Sequence, residues 1–257
     1  MKNFSYNMWF IMVNKKDVIR KSYAKALERA REDDSSCATD EQKGSSCCSP
    51  SLKLPKEIKM PSFGSTRNLA EKANLKEGDI VVDLGSGPGY DLLSAAKIVG
   101  PNGMAVGVDF TPEMVKHATE KAEEIGLDNV TVYQGDIEEL PLLDNIADVV
   151  ISNCVINLAM DKQKVFNEAF RILKPGGRLV DADIIAGKEL PKSLQEDKEA
   201  LCGCVGGALT EEGYVEKIRE AGFVDIKVNI EHSNKINWNG EKIPMHSGII
   251  TAIKPKE

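Results

Sequence analysis

From Ile80 to Lys254, short apolar runs rich in β-branched residues alternate with segments whose apolar positions recur at helical spacing. The strand candidates are "IVVDLG" (80–85), "AVGVDF" (105–110), "VTVYQ" (130–134), "DVVISN" (148–153), "RLVDADI" (178–184), "VDIKVNI" (224–230) and "GIITAIK" (248–254). Helical periods fall at about 89–99, 112–125, 161–172 and 210–221. Alternation of this kind predicts an α/β fold: seven strands in a mostly parallel sheet, with helices on both faces. Only the polar "EHSNKINWNGEKIPMH" separates the last two runs, so they are expected to close the sheet as an antiparallel pair.

The pattern upstream is different. Residues 14–32 form a charged helical segment with a rough apolar stripe of Val18, Tyr23, Leu27 and Ala30. Residues 33–50, "DDSSCATDEQKGSSCCSP", are polar, small and turn-rich, and Pro55 and Pro61 punctuate the approach to the main domain. The expected division is 1–60, a helical segment with a Cys-rich loop, and 61–257, the main domain. The apolar stretch Met8–Val13 is far below the roughly 20 residues of a spanning helix and lacks the features of a signal peptide. A cytoplasmic protein is therefore expected.

Charge narrows the partners. A formal net charge of −7, without clustered Lys and Arg, argues against a nucleic-acid surface and says nothing sharp about a small-molecule partner. Six cysteines, Cys37, Cys47, Cys48, Cys154, Cys202 and Cys204, are too few and too unevenly spaced for a disulfide scaffold. No C-x-x-C pair is present, which weakens the case for structural zinc. His117, His232 and His246 fall in a helix and in polar loops and are expected to be solvated.

Chemistry is concentrated where the strands end. The first strand runs into "DLGSGPGYD", where Gly85, Gly87 and Gly89 permit a tight turn and close backbone approach by a ligand. This G-x-G-x-G spacing departs from the G-x-G-x-x-G of nicotinamide dinucleotide domains, the alternative reading. The second strand ends at Asp109, where a carboxylate can accept from both hydroxyls of a ribose. After the third strand, Asp136 is placed to bind an exocyclic adenine amine, with Ile137 packing on the ring. With Asp83, three acidic residues are predicted at one edge of one sheet.

This ordered set resembles the class I S-adenosylmethionine-dependent methyltransferases over residues 65–255, through "DLGSGPG", "GVDFTPEMVKHA", "GDIEELP" and "EAFRILKPGGRLV". The resemblance implies a Rossmann-like seven-stranded sheet with an antiparallel last strand and S-adenosylmethionine as cofactor. It implies cofactor contacts at Asp83, Gly85, Gly87, Gly89, Asp109, Phe110, Met114, Asp136, Ile137 and Asn153. Within that superfamily, "ISNCVINL" and "CVGGALTEEGY" look like the arsenite methyltransferases. That likeness implies As(III) held by Cys154 and Cys204, with Cys37, Cys47, Cys48 and Cys202 as further substrate-binding candidates and a small-thiol or thioredoxin-type reductant as partner. Trivalent arsenic is soft and favours thiolates over carboxylates. One departure stands out: the family commonly carries a further cysteine just before the first strand, and here "SFGSTRN" places Ser65 or Thr66 there. The same residues are compatible with two other functions. One is methylation at carbon or oxygen of a small organic molecule, and the other is thiolate binding of a metalloid without turnover.

Overall fold

The structure is a computed structural model, and it describes residues 15–28 and 68–257. The predicted division at residue 60, Cys37, Cys47, Cys48, Ser65 and Thr66 lie outside the described residues.

Helix α1 spans 15–28. It is followed by α2 (Leu69–Lys72), β1 (Ile80–Leu84), α3 (Tyr90–Val99), β2 (Met104–Asp109), α4 (Pro112–Glu124) and β3 (Val130–Gln134). Next come β4 (Ala147–Asn153), a 3-10 turn at Ile156–Leu158, α5 (Lys162–Ile172) and β5 (Leu173–Ala186). The chain ends with α6 (Lys192–Gln195), α7 (Lys198–Cys202), α8 (Glu211–Glu220), β6 (Val224–Trp238) and β7 (Glu241–Ile253).

Among the described residues the strands form one seven-stranded sheet in the order β3-β2-β1-β4-β5-β7-β6. β1 to β5 run parallel, and β7 pairs antiparallel with both β5 and β6. The period-2 alternation of a strand sorts the apolar side chains onto two faces. Val82, Leu84 and Val150 join one buried cluster with Phe166 and Tyr214. Val81, Val149 and Ile151 join a second with Leu92 and Ala96. A third cluster contains Ile19, Leu158, Ile184, Leu190, Cys204 and Met245, and it brings α1 together with the segments after β4 and β5.

The helices start where local chemistry lets them. Asp161 caps α5 by accepting from the amides of Gln163 and Lys164, and Thr210 caps α8 through Gly213 N. Thr111 precedes Pro112 at the first position of α4, where a missing N–H costs nothing. α3 is different: its cap is Gly89, which has no side chain to accept from its first amides, and Asp83 of β1 accepts from the Leu92 amide instead.

Two expectations change. The polar stretch 231–246 is not a loop: β6 and β7 continue through it as a ladder from Val224↔Ile253 to Trp238↔Glu241. Asn239 and Gly240, at φ 49° and 84°, make the turn. The stripe of α1 also shifts. Ile19 and Leu27 are the buried positions, with Lys16 and Tyr23 along the same face, while Val18 is only half-buried. Burying Ile19 and Leu27 stabilises the docking of α1 by roughly 1.5–3 kcal/mol each.

Candidate active site

The strand order reverses between β1 and β4, and ligands of open α/β sheets bind in the crevice at such a switch point. Gly85 leaves the end of β1 and Cys154 the end of β4. Gly85, Gly87 and Gly89 all have positive φ, from 51° to 97°. A Cβ on Gly85 would lie 2.3 Å from Val155 Cγ2, so glycine is required there for space as well as for conformation.

Acidic side chains brace this loop. Asp109 Oδ2 accepts from Gly87 N and Oδ1 from Thr111 N, both at 2.9 Å. Burial raises its pKa, opposed by those two amides. Asp83 is 3% exposed, and burial together with the charges of Asp91 and Asp109 pushes its pKa well above the carboxylate range. Asp91 was not anticipated from the sequence. Its Oδ2 accepts from Asn153 Nδ2 at 2.8 Å and its Oδ1 from Ala70 N, tying α2 and the end of β4 to α3. The signal was available: an acidic residue two positions after the last glycine, in the first turn of α3. Three buried carboxylates at one crevice, beside a helix N-terminus without a side-chain cap, make a pocket suited to a ligand carrying both signs of charge.

A partly open cavity lies beside the loop. Gly85, Phe110, Asp136, Ile137 and Val155 line it, as do Leu158 and Ala159 of the turn after β4. Lys16 and Ile19 of α1 contribute as well. Phe110, Asp136 and Ile137, expected as cofactor contacts, thus share one cavity. Asp136 already has a partner, since Lys16 Nζ donates to its Oδ2 at 2.6 Å and lies 3.1 Å from Glu138 Oε1. Met114 is fully buried in α4 and does not line this cavity. His117 is buried as well, against the solvated expectation, while His232 and His246 lie on β6 and β7 rather than in loops.

The two cysteines singled out from sequence meet. Cys204, after α7, donates from Sγ to the carbonyl of Cys154 at 2.8 Å. Both residues have left-handed backbone, φ 58° and 62°. The other non-glycine residues with positive φ among those described are Asn or Asp, which tolerate that conformation. Backbone strain of this kind concentrates at functional sites in general. Cys202 is half-buried against the same apolar cluster, and its carbonyl accepts from Tyr23. No group of three or more His, Cys, Asp or Glu suited to a metal ion occurs among the described residues.

Beneath the pair lies a polar network that the sequence did not reveal. Asn157 donates from Nδ2 to Asp183 Oδ1 at 2.7 Å and from its amide to Oδ2 at 3.1 Å. Tyr214 Oη donates to Asn157 Oδ1 at 2.5 Å. Burial lifts the Asp183 pKa to about 7, against the pull of the Ile184 and Asn157 amides and of Lys162. A hydrogen bond with Cys204, burial, and the charges of Asp183 and Asp181 push the Cys154 thiol well above its usual pKa.

Residues 75–222, more than half of the chain, match the family described as Methyltransferase domain. The chain belongs to this methyltransferase family. The methyltransferase is 43% identical over 156 residues to an arsenite methyltransferase of Halobacterium salinarum, and 38% identical over 152 residues to one of Homo sapiens. These matches take in 61% and 56% of the chain but 40% of each relative's own length. Among solved structures, CrArsM, an arsenic (III) S-adenosylmethionine methyltransferase from Chlamydomonas reinhardtii, is 33% identical with a TM-score of 0.62. That likeness covers 72% of this chain and 70% of the other. No helix among the described residues is long and apolar enough to cross a membrane.

Proposed function

We propose that this methyltransferase transfers a methyl group from S-adenosylmethionine to trivalent arsenic held by Cys154 and Cys204. The observation that carries the reading is the convergence of those two strained cysteines at the carboxyl end of β4, next to the glycine loop. The names of its relatives support the same substrate.

The residues present fit the cofactor. S-adenosylmethionine supplies an electrophilic methyl on a sulfonium and carries a carboxylate and an ammonium. The positive end of the α3 dipole suits the carboxylate, and the Asp83–Asp91–Asp109 cluster suits the positive charges. Asp109 accepts from the Gly87 and Thr111 amides and from the Thr111 side chain, and its remaining lone-pair capacity suits a ribose hydroxyl. Phe110 and Ile137 offer apolar surface to the adenine.

The thiols do the substrate work. With the Cys154 thiol resisting ionisation, its proton is best lost together with an arsenic-bound hydroxide. An As–O bond breaks, an As–S bond forms and water leaves. The arsenic lone pair then needs only placement in line with the methyl carbon, and placement of two bound reactants is worth several kcal/mol. No general base is required for the transfer itself. The third arsenic ligand is assigned to a small thiol or to Cys37, Cys47, Cys48 or Cys202, and a small-thiol or thioredoxin-type reductant maintains the pair. Residues 61–257 are read as the catalytic domain, with α1 as part of an N-terminal extension closing over it.

Cys154→Ser and Cys204→Ser test this reading. Each is expected to abolish arsenite methylation while calorimetry shows S-adenosylmethionine affinity within about twofold of the parent, since neither thiol belongs to the cofactor residues named. Loss of cofactor affinity in both variants would assign the cysteines a structural role. A carbon or oxygen acceptor is the second reading, favoured by the apolar cluster around the thiols.

A further inference from the structure

The helical stripe of α1 carries one polar group toward the thiols. Ile19 is buried and Tyr23 follows it by four residues, so both face the same way. The Tyr23 hydroxyl donates to the Cys202 carbonyl at 3.3 Å and lies 3.8 Å from Cys204 Sγ. Its ring packs with the apolar cluster that includes Cys204, Cys154 and Cys202. A phenylalanine would satisfy that packing. What the hydroxyl adds is a donor to the Cys202 carbonyl that also lies within hydrogen-bonding reach of the sulfur two residues on. Lys16, seven residues earlier, fixes the other end of the same helix face on Asp136 and Glu138.

We propose that Tyr23 is a positioning residue of the arsenic site: its hydroxyl holds Cys204 Sγ in the orientation that lets it share one arsenic atom with Cys154. In the free protein, Cys204 Sγ donates to the Cys154 carbonyl. When an As–S bond forms and that proton leaves with hydroxide as water, the sulfur loses its acceptor and keeps lone pairs. Tyr23 then donates to the sulfur without giving up its proton. α1 thereby completes the thiol site, although Tyr23 lies 181 residues before Cys204 in sequence.

The inference rests on the thiol-pair reading above, and its test separates the two. The probe is phenylarsine oxide, whose arsenic condenses with two thiols and releases one water. The full-length protein carries serine at Cys37, Cys47 and Cys48, so that binding reports on the thiols of the described residues. Tyr23→Phe keeps the ring and removes only the hydroxyl, and Tyr23→Leu checks that apolar packing alone does not substitute. Both variants are expected to weaken phenylarsine oxide binding by about three- to tenfold, the worth of one hydrogen bond. In the chain with all six cysteines, Tyr23→Phe is expected to raise the KM for arsenite by the same factor, with kcat and S-adenosylmethionine affinity each within about twofold of the unsubstituted protein. Unchanged phenylarsine oxide affinity in Tyr23→Phe would overturn the proposal. So would a parallel loss of cofactor affinity, which marks a merely structural helix. A chain with all six cysteines that does not methylate arsenite, while the triple-serine parent binds the probe, overturns the arsenic-methylation reading and leaves the Tyr23 comparison decisive. A parent that does not bind the probe overturns both.

Discussion

Single residues at the crevice are held by geometry that allows little exchange. Gly85 has φ 64° and no room for a Cβ against Val155. Gly85→Ala is expected to destabilise the fold by more than about 1 kcal/mol, the cost of a side chain at an incompatible φ. It should also weaken S-adenosylmethionine binding, and denaturant titration with calorimetry would show both losses. Asp183 makes a pH prediction. Its folded pKa, about 7, lies above the unfolded value, so the native state holds this proton more tightly than the unfolded chain. The stability it contributes is complete below the usual carboxylate range and is lost as pH rises through about 7. Asp181 and Asp83, also raised by burial, act in the same direction. Thermal unfolding from pH 5 to 8 should show stability falling, and Asp183→Asn should flatten the slope. An unchanged slope would mean that Asp183 is already ionised in the folded protein.

At the scale of elements, the alternation of apolar runs and helical periods located the seven strands and the four long helices to within a few residues at most starts. The signal is strong there because β1 and β4 are buried on both faces. It failed where burial stops. The outer half of β6 is largely exposed and polar, so the stretch read as a loop even though Ile243 and Met245 of β7 are buried. Asn239-Gly240 was a legible turn signal, since both residues adopt the positive φ of a two-residue hairpin turn. Gly240→Val is expected to cost on the order of 1–2 kcal/mol locally. Amide hydrogen exchange should accelerate near Trp238 and Glu241 and stay unchanged in β1 and β4. Protection that does not change at the hairpin tip would show that the turn is not under φ control. α1 was legible as a helix, and Tyr23 and Leu27 of its docking face were in the expected stripe; Lys16 and Ile19 were not, and the polar contacts of Lys16 and Tyr23 are ones no apolar count detects.

For the whole molecule, motif order placed the cofactor crevice and the two thiols on one edge of one sheet, and the topology explains why. A parallel sheet delivers every strand's carboxyl end to the same side, so residues 83, 109 and 154 converge whatever lies between them. What convergence cannot tell is which groups arrive from outside the sheet. Asp91, Lys16, Tyr23 and the Asn157–Asp183–Tyr214 network reach the site through helix docking, and their partners are up to 181 residues away in sequence. The central claim is that this crevice joins a sulfonium methyl to a thiol-held arsenic. The most direct measurement incubates the reduced full-length protein with S-adenosylmethionine, arsenite and glutathione, then separates arsenic species and detects them by mass. Methylated arsenic that disappears with Cys154→Ser is the predicted result. A protein that binds S-adenosylmethionine yet yields no methylated arsenic would contradict the account and turn the search to organic acceptors.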